Sequence, residues 1–164
     1  MNPLVHLSEA VVRVERMVSR AMVIGFVALI TVNVAMRYLA GRPIAFAEEL
    51  AAILLVWLAF VAVSISIHDR TQIGVTLVVD LLPPRARVVM AEIVAILVAF
   101  MLAVLLWKSI AWVTSTNVGF EQVITTGWAK WPFFLVVPVW AATSLIHVLA
   151  QIAAPSAEHH EVTI

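Results

Sequence analysis

The sequence contains no cysteine. A disulfide framework and thiolate chemistry are therefore both excluded. Charge is nearly as scarce: 12% of the 164 residues are Asp, Glu, Lys or Arg, and ten acids balance ten bases. A net charge of zero gives no electrostatic footprint for nucleic acid. Alternating apolar and polar strands, the mark of a membrane barrel, are also missing.

What remains is apolar. Hydrophobic residues make up 63% of the chain, and the mean hydropathy is +1.07. A soluble domain of this size has no interior large enough to hide so much apolar surface. Runs of about 20 apolar residues cross the hydrocarbon core of a bilayer, and four appear. They lie at about 20–39, 49–67, 88–112 and 131–154. The first holds sixteen uncharged residues between Arg20 and Arg37, and the second holds eighteen from Leu50 to Ile67. The third is interrupted by Glu92 near one end and Lys108 near the other, and the fourth carries His147 as its one titratable group. Helices satisfy their own backbone hydrogen bonds in lipid, so four transmembrane helices are expected. Residues 1–154 are read as one four-helix membrane domain, and 155–164 as a disordered tail.

Asn2-Pro3 reads as a helix cap with proline at the first helical position. Leu4, Leu7, Val11, Val14 and Val18 then share one face, with Glu9, Arg13, Arg16 and Arg20 on the other side. This pattern predicts an amphipathic helix lying on the membrane surface before the first span, the alternative being an extension of that span into water. Glu9 and Glu15, with no A-x-A site, argue against a cleaved signal peptide. Gly41-Arg42-Pro43 makes the first turn. The connection from His68 to Arg87 is too apolar for a free loop and is read as interfacial, ended by Pro83-Pro84. The connection from Val113 to Lys130 is the most polar part of the body.

Lys and Arg bias sets orientation. The N-terminus and second connection hold Arg13, Arg16, Arg20, Arg70, Arg85 and Arg87, against Arg37, Arg42, Lys108 and Lys130 on the other side. Both termini are therefore expected in the cytoplasm. Tyr38, Trp107, Trp112, Trp128 and Trp131 gather on the opposite side, as an aromatic belt does.

The chain resembles the small membrane subunit of TRAP transporters, the tripartite ATP-independent periplasmic carriers. The resemblance rests on Asn33 and Arg37-Tyr38 closing the first span, "AEEL" at 47–50, "VWLAF" at 56–60, "DLLPPRAR" at 80–87, and Trp131 followed seven residues later by Pro138. The chain departs from the pattern at Phe46-Ala47, Val61-Ala62 and Gln72-Ile73. The resemblance implies a non-enzymatic subunit of the bacterial inner membrane, with no cofactor. Its implied partners are a large membrane subunit, which moves a carboxylate solute by a sodium-driven elevator motion, and a periplasmic solute-binding protein. The small subunit would enlarge the fixed scaffold.

The residues themselves suggest sites. Ionisable groups sit near span ends rather than at midplane, so the chain is not expected to transport alone. Thr31, Ser64, Ser66, Thr143 and Ser144 read as helix-packing hydrogen bonders. Glu48 shares a face with Ala52, Leu55, Ala59, Ala62 and Ser66, so it is expected to enter a helix contact and pair with Arg37. Glu49 is expected to turn elsewhere, to headgroups or to the large subunit. Trp131 and Pro138 are structural candidates. Arg42, Glu121 and Gln122 are candidates for docking the binding protein. Facing His68 and His147 suggest a second reading, a haem-binding or purely structural membrane anchor.

Overall fold

The computed structural model describes residues 2–70 and 83–154. The expected interfacial segment after His68 and the tail after Ala154 fall mainly outside those residues. Four long helices dominate. They are α1 (Pro3–Leu39), α2 (Ala47–His68), α3 (Pro84–Val113) and α6 (Val136–Ala153), with two single-turn helices, α4 (Thr116–Gly119) and α5 (Trp131–Phe134), between α3 and α6. By length and composition, four helical stretches are apolar enough to cross a membrane: Pro3–Leu39, Ala47–His68, Val89–Val113 and Trp131–Ala153.

The N-terminal amphipathic stretch is not a separate surface helix. It forms the first turns of α1, which runs unbroken for 37 residues. Asn2 starts it, its side chain accepting the Leu4 N–H at 3.3 Å, with Pro3 in the first turn. No residue breaks the helix before Leu39. At 1.5 Å per residue α1 is about 55 Å long, against about 30 Å of hydrocarbon, so it tilts or projects beyond the bilayer. Gly41 ends it with φ +65°. This left-handed conformation is open to glycine, and it lets the Ala40 and Arg42 N–H groups return to the Met36 carbonyl.

The fourth span is helical but interrupted at Leu135, between α5 and α6. Pro138 supplies the cause. It has no N–H for the Phe134 carbonyl, and its ring crowds that carbonyl.

Helix α6 is the hub, packing against α1, α2 and α3. In the most apolar window of its span 39% of residues are buried, against 6% for the spans of α1 and α3. Ile67, Leu102 and Val148 form the core cluster, flanked by Ala95, Val98, Ala99, Trp140 and Leu145. Phe60 and Trp140 add a ring contact at 5.2 Å. Most other large apolar side chains point outward, as Ile24 (70% exposed) and Phe100 (66%) do. That arrangement is stable only where the surroundings are lipid.

Ala141 has no exposed surface at the hub. Ala141→Leu should overpack it at a cost of about 1–3 kcal/mol, lowering the thermal midpoint in detergent. The same change at exposed Ala103 should leave the midpoint unmoved.

Candidate functional site

At the end of the bundle away from the termini, α1 turns into α2. Asn33, 4% exposed, holds the turn by accepting the Ile44 N–H at 2.8 Å. Arg37 donates to Glu48 at 2.7 Å. The pair is open, with side-chain exposures of 51% and 72%. Glu48 therefore does not enter the helix contact. The buried face of α2 is Ala47, Ala51, Ser64 and Ile67, while Glu48, Ala52, Leu55, Ala59 and Ala62 are exposed. Small residues occupy both stripes, so side-chain size alone did not show which stripe meets α1.

Glu49 has the larger structural part. Its carboxylate accepts the Ile124 N–H at 3.1 Å and, from Thr125, the N–H at 3.1 Å and the hydroxyl at 2.8 Å. It thus ties the polar connection to the first turn of α2 instead of reaching for headgroups. That connection folds back on itself. Val123 N–H donates to the Trp128 carbonyl at 2.7 Å and Lys130 N–H to the Glu121 carbonyl at 2.9 Å, with Gly127 at φ +71° in the turn. Val118 and Val123 are buried beneath it. The indole N–H of Trp57 donates to the Phe133 carbonyl at 2.9 Å, holding α5 beside the middle of α2. Trp131 opens α5 and is 46% exposed, whereas Pro138 is buried in α6. Arg42, Glu121 and Gln122 are all exposed.

The other end holds a cluster around the two facing histidines, joined by Ser8, Glu15, Arg16 and Asp69, which the sequence pattern did not bring to them. His147, wholly buried, has Ser8 Oγ 2.8 Å from Nδ1 and Glu15 Oε2 3.1 Å from Nε2. His68 meets its ring edge-on, centroids 5.0 Å apart. Asp69 follows, 3.0 Å from His68 Nδ1 and held by the Arg16 guanidinium at 2.7 and 2.9 Å. These two partners, His68 first, keep the Asp69 carboxyl below the usual aspartate range. Ser64 and Thr143 hydroxyls lie 3.1 Å apart, and Gln151 donates to the Ile67 carbonyl. Besides the facing histidines, the sequence held one signal of this site. Ser8, Val12 and Glu15 recur at helical spacing and are the buried residues of the first half of α1.

The cluster does not suit haem. An iron between two histidines needs a free nitrogen of each ring aimed at it. Both nitrogens of His147 are engaged, and the rings are already in contact. Nor is Ser8–His147–Glu15 a hydrolytic triad, because Ser8 is 4% and His147 0% exposed and no substrate reaches them.

The ion pair and the loop tie should respond differently to mutation. Glu48→Gln removes an exposed pair worth about 0–1 kcal/mol and should change stability little. Glu49→Gln should free the 121–130 fold and speed proteolysis there severalfold more than Glu48→Gln does. Equal cleavage rates would show that Glu49 does not hold the loop.

Comparison with known proteins agrees with this geometry. Residues 26–157 match the family model "Tripartite ATP-independent periplasmic transporters, DctQ component". A Haemophilus influenzae protein named "Putative TRAP transporter small permease protein" is 31% identical over 62 residues. The match covers 38% of each chain, so this chain spans well under half the length of that relative in the matched stretch. The family is a transporter component rather than an enzyme, and four helices apolar enough to cross a membrane suit such a component. On the family match, which covers most of its length, the chain belongs to the DctQ component family of the tripartite ATP-independent periplasmic transporters.

Proposed function

We propose that this chain, as one four-helix membrane unit over residues 1–154, is the small permease subunit of a TRAP transporter in the bacterial inner membrane. It pairs with a large membrane subunit and extends that subunit's fixed scaffold. A periplasmic binding protein delivers a carboxylate solute, and a sodium gradient drives its uptake. The family match over residues 26–157 carries this reading. The bundle's own chemistry supports it. Among the described residues, the buried ionisable groups cluster at the termini end, and the open Arg37–Glu48 pair sits at the other. Ions and solutes cross membranes at polar or unwound midplane sites, and the interruption at Leu135 stands near the start of the fourth span. The Arg and Lys bias supports cytoplasmic termini, which puts the Glu49-held loop in the periplasm.

On this reading Arg37, Glu48, Glu49, Trp131 and Pro138 shape the scaffold, and Arg42, Glu121 and Gln122 form part of the surface that receives the binding protein. Their exposure supports that role.

Reconstitution tests the reading. Liposomes holding this chain, the large subunit and a matched binding protein should take up solute under an inward sodium gradient. Omitting the large subunit should reduce uptake to background, and uptake by this chain with binding protein alone would overturn the scaffold role. Replacing Glu121 and Gln122 by Ala should raise the binding-protein concentration needed for half-maximal uptake, without lowering the amount of complex. An unchanged titration would place the docking surface elsewhere.

A further inference from the structure

The connection between α3 and α5 is rich in polar residues, yet it holds its largest apolar side chains outward. Phe120 is 81% exposed, Ile124 89% and Trp128 59%. A lack of apolar cover is not the cause, because Val123 of the same hairpin turns in and is 5% exposed. The exposure is built in. Glu49 accepts the N–H groups of Ile124 and Thr125, which fixes the backbone with the Ile124 side chain outside. An exposed apolar cluster held in this way marks an interaction surface.

Two observations identify what meets it. The first is depth. Glu49 lies in the first turn of α2, at the start of the uncharged run from Leu50 to Ile67. Ile124 is bonded to it, so Ile124 sits at the level where the second span begins. Lys130 N–H donates to the Glu121 carbonyl, which sets Phe120 near Trp131, where the fourth span begins. The hairpin therefore lies across the ends of two spans instead of standing off from them. Trp112 and Trp131, each about half exposed, suit the same interfacial level. The second observation is the backbone. The N–H groups of Glu121, Val123, Ile124, Thr125, Gly127 and Lys130 all donate within the chain. A loop in water has solvent for those groups, whereas one at the edge of the hydrocarbon needs partners of its own.

We propose that the connection 114–130 is a membrane-surface anchor, in which Phe120, Ile124 and Trp128 enter the headgroup–acyl boundary of the bilayer. The partner is lipid itself, met by apolar side chains at the depth where interfacial segments lie. The Trp128 indole suits that boundary, with an apolar body and a polar N–H. Glu121 and Gln122 are exposed at the same level, and their charge and amide belong on the water side, so docking there is compatible with the anchor. With cytoplasmic termini, as proposed above, the leaflet entered is the periplasmic one. The anchor itself depends neither on that orientation nor on the scaffold role.

The chain has no cysteine, so single nitroxide labels test the anchor directly. Phe120→Cys, Ile124→Cys, Gln122→Cys and Phe100→Cys replace exposed side chains and should each leave the fold intact. The labelled full chain is placed in nanodiscs of phosphatidylethanolamine and phosphatidylglycerol. Collisions with oxygen, which concentrates in lipid, are compared with collisions with a water-soluble nickel chelate. The oxygen-to-nickel ratio at 120 and 124 should exceed that at 122 severalfold and approach that at 100, on the outer face of α3. Ratios at 120 and 124 no higher than at 122 would show that the hairpin stands in water, and would overturn the anchor. The measurement is then repeated with the large subunit in the same nanodisc. Persistence of the high ratios supports lipid as the partner. Loss of both kinds of collision at 120 and 124 would assign the patch to a protein contact and sink the proposal.

Discussion

Lipid removes the force that assembles soluble cores. A leucine gains little by leaving an acyl chain for a neighbouring helix, so membrane helices are held by close packing and by polar contacts that lipid cannot supply. The pins between helices in this bundle follow from that constraint. Asn33 and Arg37 fasten α1 to the start of α2, and Arg16 fastens it to the end. Ser64 and Gln151 join α2 to α6, and Ser8 and Glu15 join α1 to α6. Each pin fixes an axial register that apolar packing alone would let slide. The apolar contacts, such as Leu102 with Val148, then fill the space those registers define.

The same constraint explains why α6 is the hub. It carries Thr143, His147 and Gln151 at four-residue spacing, so one helix face presents three hydrogen-bonding groups to its neighbours. It also carries the break at Leu135, and Trp57 on α2 takes up a carbonyl beside it at Phe133. A helix interrupted in lipid needs such a neighbour, because an unpaired carbonyl there costs several kcal/mol.

How much of this was legible in the sequence depends on what each feature rests on. The four spans follow from run length, which is a property of the chain alone. The cap at Asn2-Pro3 and the turn at Gly41 are equally local. The facing of α2 was not local. Adjacent helical residues differ by about 100°, and moving the contact from Glu48 to Ala47 exchanges the roles of the two acids. Nothing within 47–68 sets that rotation, which depends on Asn33 of α1 and Thr125 of the distant loop. The amphipathic stretch misled for a related reason. Its apolar stripe was real, but polar residues on its flank, Ser8 and Glu15, had a buried partner 132 and more residues away. A pattern of hydrophobicity marks which side of a helix avoids water, not which neighbour it meets.

Under the scaffold role proposed above, the bundle has to resist being dragged while a partner moves, and the distribution of pins suits that task. The loop end is tied through Glu49, which joins the start of α2 to a connection 75 residues on. The termini end is tied through the histidine cluster. Between them a groove opens among α1, α2 and α6, bordered by the Ser64–Thr143 contact. A load applied at either end therefore passes through charged or hydrogen-bonded contacts, whose geometry is directional, before it reaches the apolar middle, where helices slide at low cost.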